Sequence, residues 1–81
     1  MTPPAPDSRP AAELAVRIAL IDLANSGCEQ CGGIVVTTSV PIVWQQENQP
    51  GIRHYDGTVG GTRFTADYHA GSGWAVQIWA C

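Results

Sequence analysis

The first long apolar segment of the chain, Ala11–Ala24 (AAELAVRIALIDLA), is apolar on two opposite sides. With successive residues turned by about 100° around a helix, Leu14, Ile18 and Ile21 fall on one face, and Val16, Leu20 and Leu23 fall roughly opposite. Narrow strips, Glu13/Arg17 and Ala15/Ala19/Asp22, separate them. A surface helix of a small domain needs one apolar stripe to reach its core. Two stripes ask for two partners, and the pattern does not say which is core. Ser8 is placed to cap the helix and Pro10 is tolerated in its first turn. Asn25-Ser26-Gly27 is a stop signal, with Gly27 suited to the left-handed position after the last turn. Residues 1–7 carry three prolines and read as a flexible or extended arm.

Beyond the Cys-Gly segment the period changes to two. Ile34, Val36, Thr38, Val40, Ile42 and Trp44 alternate with Val35, Thr37, Ser39, Val43 and Gln45, which predicts a long, bent strand. Pro41 makes it an edge or a bulge there. Gln49-Pro50-Gly51 signals a turn, followed by a short strand at Ile52–Tyr55 and a second turn over Asp56–Gly61. Thr62–His69 alternates again, Ala70-Gly71-Ser72-Gly73 forms a hairpin loop, and Trp74–Ala80 closes the chain's last strand. The predicted fold is α+β. One N-terminal helix packs on a three- to four-stranded antiparallel β-meander, a single domain over residues 8–81. By parity Trp79 and Val43 point away from Trp74, Val76 and Ile78, unless a bulge shifts the register. A tryptophan on an outer sheet face is often a contact residue.

Composition narrows the function classes. The chain has 81 residues, 44% hydrophobic and 14% charged, which suits one small folded domain. Its four cationic side chains, Arg9, Arg17, Arg53 and Arg63, are spread out, and the net charge is −3. Direct nucleic-acid binding, which needs a basic patch, is not expected. MTPPAPDSRP lacks a basic segment followed by an apolar run, and the apolar helix carries Glu13, Arg17 and Asp22. Neither a secretory signal nor a membrane span is expected. The expected setting is cytoplasmic, and an odd count of three cysteines argues for reduced thiols there.

Cys28-Glu29-Gln30-Cys31-Gly32-Gly33 resembles one knuckle of a zinc ribbon. Zinc takes four ligands, and a second CxxC is absent. Cys28, Cys31, Cys81 and a histidine, His69 or His54, form the alternative metal set. A redox role is disfavoured because the pair follows a helix C-terminus, where the helix dipole opposes a thiolate. His54, Asp56, Asp67 and His69 are acid–base candidates, but with no convergent pocket in the pattern they are better read as solvated polar pairs on an exposed sheet face. The glycine-rich run Gly57–Arg63 lacks the lysine and following helix of a phosphate loop. No cofactor and no enzymatic activity are expected.

The expected role is therefore a non-enzymatic protein–protein interaction module. Val16, Leu20, Leu23 and Trp79 are its expected contact residues, in a homodimer through the helix or in a partner's groove. One helix followed by IVVTTSVPIVW and the hairpin TRFTADYH/WAVQIWAC is similar in build to small phage- or prophage-encoded inhibitors of the anti-CRISPR kind. That resemblance implies stoichiometric inhibition in the host cytoplasm, by binding a CRISPR effector complex and blocking target DNA. It also implies that Glu29, Glu47, Asp56 and Asp67 face a basic DNA channel. The modest net charge favours blocking by shape over charge mimicry.

Overall fold

Helix α1 (Arg9–Asn25) starts at Ser8, whose backbone is extended (φ −89°, ψ 161°) and whose carbonyl accepts from Ala12 N–H at 3.0 Å. The computed structural model describes residues 6–35, 40–46 and 52–79. Ala12, Val16 and Leu20, spaced by four, are the helix's buried line, with Leu23 and Ala24 partly buried beside them. Glu13 and Arg17 form an i,i+4 ion pair at 3.1 Å. The helix ends as its sequence predicts. Gly27 takes a left-handed φ of +101°, Gly27 N–H donates to Ala24 O at 3.2 Å, and Cys28 N–H reaches back to Leu23 O at 3.0 Å. Those two bonds are the Schellman arrangement that satisfies the last carbonyls of a helix.

The chain then departs from the predicted strand. Glu29–Val35 is a second helix, α2. Cys28 both finishes α1 and starts α2: its carbonyl accepts from Gly32 N–H at 2.9 Å and its Sγ from Cys31 N–H at 3.4 Å. The hidden signal is a period of three. Cys28, Cys31 and Ile34 are all buried in the core, and this spacing belongs to a helix face rather than a strand. Residues 36–39 lie outside the described set, so strand β1 is only Ile42–Trp44, directly after Pro41.

Strands β2 (His54–Val59), β3 (Thr62–His69) and β4 (Gly73–Ile78) complete a four-stranded antiparallel sheet in the order β1-β2-β3-β4. The architecture is α+β, as the pattern predicts. The turn expected over Asp56–Gly61 is shorter, because Gly60 (φ +58°) and Gly61 (φ +81°) alone make the connection. Two left-handed residues are the preferred two-residue hairpin, so Asp56–Val59 stays in the strand. The predicted turn at Gln49–Gly51 lies outside the described residues.

Both helices lie on one face of the sheet. That face presents Ile42 and Trp44, Tyr55 and Val59, Phe64, Ala66 and Tyr68, and Trp74, Val76 and Ile78. Helix α1 covers β4 and part of β3, with α2 beside it. The aromatics cluster: Trp44 meets Tyr55 and Phe64 edge-on, at centroid distances of 5.0 and 5.5 Å, and Trp74 lies 5.8 Å from Tyr55. The start of the domain closes over them. Trp74 Nε1–H donates to Pro6 O at 2.8 Å, and the Arg9 guanidinium sits over Trp44. The arm assigned to residues 1–7 is thus anchored at Pro6.

Two expectations follow. Gly27→Ala places a side chain at a left-handed φ and should lower stability by about 1 kcal/mol, read as a shifted urea midpoint at unchanged slope. Tyr55 is fully buried and its hydroxyl has no hydrogen-bond partner among the described residues. An unsatisfied buried hydroxyl costs about 1–3 kcal/mol, so Tyr55→Phe should raise the melting temperature; a fall would show that the hydroxyl is satisfied in solution.

Candidate interaction surface

The structure decides between the two helix stripes, and in the direction opposite to the expected contact set. Val16 and Leu20 are in the core at 0% and 2% exposure, and Leu23 packs against them. They cannot meet a partner without unfolding. Leu14, Ile18 and Ile21 stand out at 61%, 50% and 46% exposure. The physical reason is the second helix. α2 brings Cys28, Cys31 and Ile34 against the Val16/Leu20 line, so that side of α1 finds two partners and the other finds none among the described residues.

The exposed stripe borders a groove. Its wall is α1, through Ala11, Leu14, Ala15, Ile18, Ala19 and Asp22, and its floor is Trp74 and Val76 of β4. The groove holds roughly 340 Å³ and is open to solvent. Three alanines at i, i+4, i+8 keep the wall low over the Trp74 ring. Asp22 is the charged residue in this lining. The sequence shows the Ala15/Ala19/Asp22 strip, but Trp74 and Val76 enter only once the helix is seen to lie over β4.

Trp79 is half-exposed on the opposite side of the sheet, as parity predicts, and Val43 is also on that side at 61%. Trp79 is not bare: the Arg63 guanidinium lies 5.4 Å above its ring. Arg53 stacks on Tyr68, and Arg17 also donates to Val40 O at 3.2 Å. Each of the four arginines is engaged within the molecule, counting Arg9 over Trp44. Glu29 is exposed at the start of α2, whereas Glu47 lies outside the described residues.

Asp56 and Asp67 are brought together by His54. His54 and Asp67 are opposite each other on β2 and β3. The neighbouring bond, Tyr68 N–H to Arg53 O at 2.8 Å, makes this one of the close, non-hydrogen-bonded pairs of the ladder. His54 Nδ1 meets Asp67 Oδ1, and its Nε2 meets Asp56 Oδ2 at 3.1 Å. Gln46 holds Asp56 in place, accepting its N–H at 2.8 Å and donating to Oδ2 at 3.2 Å. Two carboxylates on one imidazole favour the cation. The bond to Asp67 raises the His54 pKa most; desolvation opposes it and Asp56 adds to it. With both ring nitrogens facing carboxylates, this is a clamp tying β1's end, β2 and β3, with no nitrogen left to take a substrate proton.

The cysteines differ in part from expectation. The CxxC pair follows α1, as expected, but also opens α2, so the dipole of the second helix offsets that of the first and the dipole argument against a thiolate no longer decides. Burial nevertheless pushes the Cys31 thiol up, away from a reactive thiolate. Cys28 is disulfide-bonded while Cys31 is a free thiol. An odd cysteine count permits one bridge and one remainder, so reduced thiols do not follow from it, and neither does a cytoplasmic setting. Of the alternative zinc set, His69 is exposed on the outer side of β3, across the sheet from Cys31, and Cys81 lies outside the described residues; no metal-ligating cluster occurs among the described residues. No described helix is long and apolar enough to cross a membrane.

Comparison with known proteins returned no match to a family model, a curated protein or a solved structure.

The raised His54 pKa has a definite sign for stability. Its contribution is fully present below the unfolded value, near 6.5, and is lost as pH rises through the higher folded value. A proton-resolved titration should show His54 titrating above the ordinary histidine value, and Asp67→Asn should bring it down. His54 titrating at or below the ordinary histidine value would remove the clamp.

Proposed function

We propose that the protein is a non-enzymatic interaction module whose contact face is the Leu14/Ile18/Ile21 side of α1 together with the groove over Trp74 and Val76. One observation carries this reading: large aliphatic residues stand in a row on one helix face, about half-exposed, beside an open apolar groove. Single exposed apolar residues are normal, but a contiguous patch marks a place where another surface is received. The low charge content and the internal use of all four arginines fit a partner held by shape and apolar contact. The likeness in build to anti-CRISPR inhibitors supplies the first partner class to try, a CRISPR effector complex blocked stoichiometrically. On this reading Glu29, Asp56 and Asp67 are peripheral, because Asp56 and Asp67 are occupied with His54.

Paired aspartate substitutions test the assignment. Ile18→Asp should leave the fold intact, with a melting shift below about 4 °C, and should abolish binding to a captured partner or inhibition of target-DNA cleavage. Leu20→Asp buries an unpaired charge and should unfold the domain. Unfolding by both variants, or full binding by folded Ile18→Asp, would end this reading.

A further inference from the structure

We propose that the groove and the outer edge of β4 are covered together by a second copy of this chain, in a two-fold dimer that joins the sheets β4 to β4. The inference rests on the contact face assigned above and names its occupant.

The two edges of the sheet differ. At one edge β1 is three residues long and follows Pro41, which blunts it. At the other edge β4 is six residues long, Gly73-Trp74-Ala75-Val76-Gln77-Ile78, with no charge and no proline. An edge strand without such protection is a template for pairing with another strand. Its free groups can be assigned. Trp79 N–H donates to Arg63 O at 3.0 Å. In the β3–β4 register, with Thr65 opposite Gln77 and Asp67 opposite Ala75, the odd-numbered residues of β4 bond to β3. Antiparallel ladders alternate, so the N–H and C=O groups of Trp74, Val76 and Ile78 point outward. No described residue pairs with them.

A two-fold axis through Val76 uses all of these groups. Trp74 of one copy meets Ile78 of the second, Val76 meets Val76, and Ile78 meets Trp74. Every such pair is apolar on the helix side. On the other face Ala75 meets Gln77, so no like charges are brought opposite one another.

The same axis covers the helix stripe. Strands lie about 4.8 Å apart, so a helix above the middle of the β3–β4 pair is about 5 Å from an axis midway between two β4 strands. α1 does lie over β4 and β3. Two such helices are then about 10 Å apart, the spacing of packed helices. α2 flanks α1 on its core side, so Leu14, Ile18 and Ile21 face the axis and meet their copies. One symmetry operation thus closes both unpartnered features, and closed two-fold contacts are the commonest way for a chain to meet itself.

Sedimentation of the full chain across a concentration series tests this. The expected species is twice the 8.6 kDa chain mass. The double variant Ala75→Lys/Gln77→Lys changes two exposed outer-face positions and sets lysine opposite lysine in the dimer. It should weaken association by at least about tenfold with an unchanged circular dichroism spectrum. A wild-type chain that stays monomeric to sub-millimolar concentration overturns the dimer. So does a dimer that the lysine pair leaves intact and Ile18→Asp dissociates, since that dimer uses the helix alone. Either result leaves the contact face standing if folded Ile18→Asp still loses a partner. Retained partner binding by that variant would overturn the contact face itself.

Discussion

The contact on which the rest of this molecule depends is the pair Val16 and Leu20, wedged between the sheet and the second helix. It exists because the chain reverses within a few residues at Ser26–Cys28. Gly27 takes the left-handed turn, Cys28 N–H satisfies a carbonyl of the helix just ended, and the Cys28 carbonyl and Sγ accept from the helix just begun. That economy presses α2 against α1 at once. The helix pair then has a crowded inner side and a bare outer side. The exposure of Leu14, Ile18 and Ile21 is a consequence of where α2 goes.

The sheet is divided in the same manner. Five of the six aromatic side chains share the helix-covered face, and Pro6 and Arg9 close one end over Trp44 and Trp74. Trp79 lies on the other face, under Arg63. That outer face is held by polar geometry, with His54 between Asp56 and Asp67 and Gln46 behind Asp56. One side of the sheet is fastened by burial and the other by a charge-assisted network. The network is half-exposed, so its stabilisation is screened and modest.

Much of this was legible in residue order. Alternation at Thr62–His69 and from Trp74 on, the turn after His69 and the stop at Gly27 each carry a local cause, and the structure follows them, with β4 running Gly73–Ile78 rather than Trp74–Ala80. The parity that turns Trp79 and Val43 outward also survives, because no bulge interrupts β3 and β4. What failed had a competing local signal. Ile34 and Val35 fit an alternating strand as readily as a helix, and only the Cys28/Cys31/Ile34 spacing separates the two. Gly60-Gly61 makes the shortest turn, so a glycine-rich run looked longer than it is. The choice between helix stripes was illegible for a deeper reason. Both stripes have nearly equal volume, and the element that breaks the tie, α2, spans the CxxC segment and the first two residues of the expected strand.

Burial energetics explain why the bare stripe is informative. A domain of this size stands only several kcal/mol above unfolding, and fully burying one leucine or isoleucine contributes about 1.5–3 kcal/mol. Side chains that remain half in water contribute little of that to folding. Polar residues at positions 14, 18 and 21 would serve the isolated fold as well and its solubility better. The unprotected edge of β4 has the same character, since unpaired backbone groups there add nothing to the monomer that water does not already supply. Two features that the isolated fold does not use lie side by side, along one helix and the strand beneath it. Their apolar and backbone contributions would become available only if both were removed from water, which is what the proposed dimer would do along the same helix that anchors the core.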